Sequence, residues 1–255
     1  MTSEDCFHQV FVRMPRQGPG YPEATRKAWS LIPSVPPHPD ILDIGCGTGT
    51  QTRDLAGLTG GTITAVDIYD PFLEKVNEWS EREGLAHRIR TVRASMDDLP
   101  FDRNEFDIIW SEGVIDIMGF EKGLSYWKQF CKNGGCIVVS DLTLFESPAP
   151  EELIEFWKPY GVTVYTEKEK ARQIAGAGLE LLHMFRLEEK GWTKHFYEPM
   201  QEVIGTLRKE KGDIPECAAV LDALEQEAVM YRKYGKFYGY TFFIMRKTPE
   251  KDERS

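Results

Sequence analysis

Between Ile41 and Thr50 the chain reads Ile-Leu-Asp-Ile-Gly-Cys-Gly-Thr-Gly-Thr, an apolar run that breaks into a glycine loop and then passes into a helix. A buried strand, a tight turn and a helix N-terminus must follow one another at this spacing. Glycines at 45, 47 and 49 are expected to leave the turn backbone bare to a ligand, and the helix aims its positive end at the same spot. Asp67 closes the next apolar strand, Ile63 to Asp67, where doubly wound folds keep the carboxylate that grips ribose hydroxyls. The loop also discriminates between ligands. A dinucleotide fingerprint, G-x-G-x-x-G, needs a glycine where Thr50 stands. Asp43, two residues before the loop, would repel a diphosphate but suits a ligand carrying an ammonium and a sulfonium.

Apolar strands then alternate with amphipathic stretches. Strands are expected near 41–46, 62–67, 89–94, 106–111 and 136–141, a sixth over Leu179–Leu187 and a last over Gly239–Met245. Helices are expected between the strands, at Glu151–Trp157 and at Lys168–Ala177. Runs apolar on both faces imply an α/β, doubly wound, largely parallel sheet with right-handed crossovers. Residues 1–39 form a lead-in to this core, 40–189: a turn-rich Arg16–Pro22, a helical Glu23–Ile32 and a stiff stretch holding Pro33, Pro36, Pro37 and Pro39. Between the sixth and last strands, about 190–236, lies an insertion with helical patterns at Met200–Lys211 and Pro215–Tyr234 and with Trp192, His195, Phe196 and Tyr197. A long insertion in a compact fold points to a functional or interfacial role. The charged tail Thr248–Ser255 is expected to fray, leaving one domain over 1–255 with its last strand at 237–247.

With 255 residues, one sizeable core and an appendage account for the whole chain. A net charge of -10 opposes phosphate backbones, so no nucleic-acid partner is expected. No apolar run nears the roughly 18 residues of a membrane helix, and Met1–Cys6 lacks the charge and apolarity of an export signal, so no membrane partner and a cytoplasmic location are expected. The five cysteines are scattered without C-x-x-C spacing and read as reduced thiols.

The D-x-G-x-G-x-G pattern with its downstream acid resembles the class I S-adenosylmethionine-dependent methyltransferases, in the small-molecule branch called type 11 that includes ubiquinone- and menaquinone-biosynthesis enzymes. Three further segments match in order: Ser95-Met-Asp-Asp-Leu-Pro-Phe101, Phe106-Asp-Ile-Ile-Trp-Ser-Glu-Gly113 and Gly134-Gly-Cys-Ile-Val-Val-Ser-Asp141. The resemblance runs from about Gln17 to Lys247. It implies strand order 3-2-1-4-5-7-6 with the seventh strand antiparallel, a lead-in that folds over the ligand as a lid, S-adenosyl-L-methionine as cofactor and S-adenosyl-L-homocysteine as product.

By that resemblance Asp43, Gly45, Gly47 and Gly49 line the methionine end of the cofactor, Asp67 holds the ribose hydroxyls and Ile68 packs on adenine. Met96 and Asp97 clamp the adenine edge, Ser111 and Glu112 close the site at the fourth strand, and Gln17 belongs to the lid. The D/N-P-P-Y motif of enzymes acting on planar amines is absent, which lowers nucleobase and amide acceptors. Where the family pattern reads W-S-E-G-A-I-Y, this chain has Val114-Ile115-Asp116, so Asp116 is one candidate general base and His195 the other. No metal site is expected. The expected activity is methyl transfer to oxygen, carbon or nitrogen of a small, partly apolar metabolite. Rival readings are a non-catalytic S-adenosylmethionine-binding protein, a nicotinamide oxidoreductase and a protein methyltransferase. The apolar insertion leaves room for a homodimer.

Overall fold

A computed structural model describes residues 1–248; of the tail expected to fray only Thr248 is described, and the rest lies outside the described residues. Strands β1 (Asp40–Ile44), β2 (Thr62–Asp67), β3 (Ile89–Arg93), β4 (Phe106–Glu112) and β5 (Cys131–Leu144) pair in parallel in the order β3-β2-β1-β4-β5. β6 (Tyr165–Thr166) is a two-residue strand on the end of β5 that sequence patterning missed. β7 (Leu179–Arg186) and β8 (Tyr238–Lys247) complete the sheet, with β8 antiparallel between β5 and β7. Counting β6 renumbers the last two strands, so the order 3-2-1-4-5-8-7 is the family order the sequence implied.

Alternation along the strands sorts the sheet into two faces. Leu42, Ile44, Val66, Ile109, Val139 and Phe243 meet Phe120, Leu124 and Trp127 of α5 (Phe120–Trp127) and Ile174 of α7 (Glu167–Gly176). On the opposite face Ile41, Ile63, Trp110, Val138 and Phe242 join a larger core shared with α2 (Pro22–Ser30), α3 (Thr50–Leu58), α4 (Asp70–Arg82) and the insertion. Burying each such side chain contributes about 1.5–3 kcal/mol.

The lead-in begins with a helix that the sequence reading did not find, α1 (Ser3–Arg13). Thr2 caps it: its hydroxyl accepts from the Asp5 amide at 3.0 Å while the Asp5 carboxylate accepts from the Thr2 amide at 2.8 Å. After α6 (Glu151–Trp157), the insertion supplies α8 (Glu189–Trp192), a π-helical turn (Thr193–Tyr197), α9 (Glu198–Lys211) and α10 (Pro215–Tyr234). On α10, Cys217, Leu221, Leu224, Ala228 and Tyr231 are buried at helical spacing. This stripe faces the core and α1. Cys6 and Cys217 are joined there in a disulfide, with Cα atoms 5.3 Å apart, which corrects the expectation of five reduced thiols. Only Cys46, Cys131 and Cys136 are free, and all three are buried. The pairing was illegible in sequence because 211 positions separate the partners.

Candidate active site

The glycine loop leaves β1 with its amides already committed. Gly45 and Cys46 N–H donate to Val66 O at 2.8 and 2.9 Å, and Gly49 N–H donates to Cys46 O at 3.0 Å. Gly47 N–H donates to Asp67 Oδ2 at 2.9 Å, and Thr48 N–H donates to Gln17 Oε1 at 2.8 Å. The expectation of bare amides is therefore corrected. The loop presents backbone and carboxylate to a ligand, and its N–H groups are spent inside the chain. Gly47 has φ +55°, and a Cβ there would collide with Gln17 Oε1, so the close approach of lid and loop requires glycine. Gln17 completes the stitch by donating through Nε2 to Phe11 O at 3.0 Å.

Beyond the loop opens a cavity of about 490 Å³, within the roughly 300–1,000 Å³ typical of small-molecule sites. Among the expected residues, Gln17, Gly45, Gly47, Asp67, Ile68, Met96 and Asp97 all line it. Asp67 also accepts from the Tyr69 amide at 3.0 Å, and its carboxylate keeps acceptor capacity beyond these backbone donors. Burial pushes its carboxyl above the ordinary range, while backbone amides of Tyr69, Gly47 and Ile68 pull it back. Ile68 beside it is 61 % exposed, an apolar face with nothing on it. Asp97 accepts from Ser95 Oγ at 2.5 Å, and the Met96 carbonyl accepts from Trp127 Nε1 at 2.8 Å, which pins the far rim. Phe7, His8 and Phe11 of α1 roof the cavity, with His8 stacked on Tyr69 at 3.9 Å. Sequence reasoning missed all three. The readable signal was Thr2-x-x-Asp5 ahead of apolar residues at 6, 7, 10 and 11.

The other expected residues do not line this cavity. Asp43 is fully buried; Thr52 Oγ1 donates to it at 2.5 Å and Gln51 Nε2 at 3.4 Å, so its charge faces the first turn of α3. Burial pushes its carboxyl up to about 7, against the lowering from Thr52 and Gln51. Gly49 is the left-handed cap of α3, packed under Val76 and Trp79. Ser111 Oγ donates to Ile44 O at 2.9 Å, tying β4 to β1. Glu112 forms a buried ion pair with Arg16 and accepts from Thr25 Oγ1 at 3.0 Å and Trp110 Nε1 at 2.9 Å. Glu112 thus anchors the lead-in to the sheet. Arg16 was legible only as part of a turn.

Asp116 sits on a short 3-10 turn (Ile115–Ile117) and borders a separate cavity of about 110 Å³ with Asp141 and Lys170, which form a buried ion pair. Burial raises the Asp116 carboxyl, and Lys170 lowers it. His195 stacks on Tyr21 at 5.6 Å, and burial, then Lys194, depress its pKa. Phe196 belongs to the main core, and Trp192 and Tyr197 pack with Tyr231. Among the described residues no helix is long and apolar enough to cross a membrane.

A family model described as a methyltransferase domain matches residues 41–135, from β1 into β5. An uncharacterized methyltransferase of Bacillus subtilis, YodH, is 26 % identical over 223 residues, 86 % of this chain and 89 % of that protein. The ubiquinone/menaquinone biosynthesis C-methyltransferase UbiE of Psychromonas ingrahamii is 31 % identical over 128 residues, 49 % of each chain. The same fold occurs in a methyltransferase from Geobacter sulfurreducens solved with S-adenosyl-L-homocysteine, at TM-score 0.82 and 17 % identity over 94 % of this chain and 97 % of that one. Residues 41–135 thus match a methyltransferase domain, and the described residues share the fold of that S-adenosyl-L-homocysteine-bound methyltransferase.

Proposed function

We propose that the cavity between the glycine loop, Asp67, Asp97 and α1 holds S-adenosylmethionine and that its methyl group passes to oxygen, carbon or nitrogen of a small, partly apolar metabolite. One observation carries this reading: the loop amides are spent, and what faces the cavity is the Asp67 carboxylate beside the exposed Ile68. A diphosphate at the loop would meet the Asp67 charge and amides already donated within the chain. A nucleoside with a cationic tail finds acceptors for its hydroxyls and an apolar seat for its base.

Bound, the cofactor supplies a methyl on positively charged sulfur, which leaves as a neutral thioether. The chain's part is to hold and to exclude water. Asp67 accepts the ribose hydroxyls, Ile68 packs on the base, Asp97 accepts from its amine, and Phe7 and Phe11 close over them. Alignment supplies most of the rate in a displacement of this kind. The net charge of -10 favours a small acceptor over nucleic acid. The apolar stripe of α10 is spent on α1 and the core, so the reading requires only a single copy of the chain.

Calorimetry with S-adenosylhomocysteine and, separately, NADH tests the assignment. Micromolar binding of the thioether without NADH binding is expected. NADH binding with none of the thioether would overturn it, and bound thioether with no methyl transfer across a broad acceptor panel would reduce the chain to a binding protein.

A further inference from the structure

The smaller cavity, about 110 Å³, lies where β5, α7 and the segment 114–119 meet. That segment is common to both cavities: Val114, Ile117 and Met118 line the large one, Asp116 and Gly119 the small one. The small cavity has a charged wall set in the interior. Lys170 and Asp141 are each 1 % exposed, and they form an ion pair through Asp141 Oδ2. Asp141 Oδ1 is also buried and has no hydrogen-bond partner among the described residues. The Lys170 ammonium lies 4.1 Å from the centre of the Phe120 ring, and Asp141 is the one acceptor that its three N–H groups reach among the described residues. Asp116 brings a second carboxylate to the same wall.

These groups select a ligand by charge and by count. An anion meets two carboxylates against one ammonium. A cation meets Lys170 and the positive start of α5, where Gly119 and Phe120 line the cavity and no side chain caps the helix. A neutral group escapes both penalties. A buried carboxylate oxygen without a donor is costly, so the ligand must offer donors to Asp141 Oδ1 and Asp116 and an acceptor to Lys170. A carboxamide carries two N–H groups and one C=O in a plane, whereas a hydroxyl carries a single donor. Size sets the remainder: a cavity of roughly 150 Å³ takes benzene, so this one takes a carboxamide with about one or two carbons attached.

We propose that this cavity is a binding site for a small neutral carboxamide, with its N–H groups on Asp141 Oδ1 and Asp116 and its carbonyl on Lys170 Nζ. The proposal goes beyond the methyltransferase reading and does not depend on it.

Acetamide, acetate and methylammonium are the probes, titrated separately into isotopically labelled protein and followed by the amide chemical shifts of Gly119, Phe120 and Leu142. Acetamide should saturate with a Kd on the order of millimolar, the range open to a ligand of about four heavy atoms. It should bind at least about fivefold more tightly than either ion, and Asp116→Asn should weaken it about threefold or more. Exchanging the ion pair for apolar residues of similar size, Asp141→Leu with Lys170→Met, leaves no charge buried alone and should abolish acetamide binding while the melting temperature holds. Equal or tighter binding of acetate or methylammonium, no saturable shift with acetamide, or an unchanged acetamide affinity in the double variant overturns the proposal. Should the double variant fail to fold, Asp116→Asn decides: an affinity unchanged there overturns it as well.

Discussion

Asp43 and Asp67 lie on neighbouring strands, and both are drawn into the glycine-loop region, yet their surroundings divide their roles. Asp43 spends its oxygens on Thr52 and Gln51, inside the chain, whereas Asp67 keeps lone pairs toward the cavity. Asp67→Ala should therefore weaken S-adenosylhomocysteine binding by about 1.5–3 kcal/mol, on the order of 10–100-fold, and Asp98→Ala by less than about threefold. Comparable losses in calorimetric titrations would take the ribose away from Asp67. Glu227 makes a pH prediction. Its folded-state value of about 7 lies above the ordinary 4.5, with Tyr197, Tyr238 and Tyr240 around it, so the stability it contributes is complete below about 4.5 and is lost as pH rises through about 7. Glu227→Gln keeps the acceptor for Tyr197 without the charge. The variant should gain on the wild type by on the order of 1–3 kcal/mol between pH 5 and pH 8. Denaturant melts at both pH values decide; a constant gap refutes the burial argument.

Among the elements, α1 links the insertion to the cofactor site. It lays Phe7, His8 and Phe11 over the cavity, and it is held from behind by Cys6–Cys217, by the Arg13–Glu210 ion pair at 3.0 Å and by Lys75, which donates to Val12 O at 2.5 Å. The exposed ion pair adds little. The disulfide adds more, about 2–4 kcal/mol, because it closes a very long loop in the unfolded chain. Cys217→Ser should lower stability by that amount, and S-adenosylhomocysteine should dissociate faster as α1 loosens. Melting curves with and without dithiothreitol check this: the wild type should shift on reduction and the variant should not. A wild type indifferent to the dithiol would remove the cross-link from the account.

At the scale of the molecule, the division into two faces explains where chemistry can occur. The side under α5 and α7 is packed with strand and helix side chains up to the small Asp116–Asp141–Lys170 cavity. The other side carries the lead-in and the insertion, and the open cavity lies between the two clusters, lined by Ile44, Val66 and Met96 from the first and by Phe11 and Phe72 from the second. A bare sheet of this order would leave its C-terminal edge open to water. Here the extra residues roof it, which strengthens electrostatic interactions beneath.

The strand-loop-helix unit at 41–50, the alternation of strands and helices, and α10 at Pro215–Tyr234 are local patterns, and local patterns are what a linear sequence records. Asp67 and Ile68 were legible at a strand end, and Met96 and Asp97 only through the family resemblance; all four line the cavity. Partnership was not legible. Whether Glu112 meets a ligand or Arg16 and whether Cys6 is a thiol or half of a cross-link each depend on a group far away along the chain. Chain order thus determined which elements form and which fold they build; only the tertiary packing decided where each side chain spends its charge and its hydrogen bonds, because those depend on distances that folding alone creates.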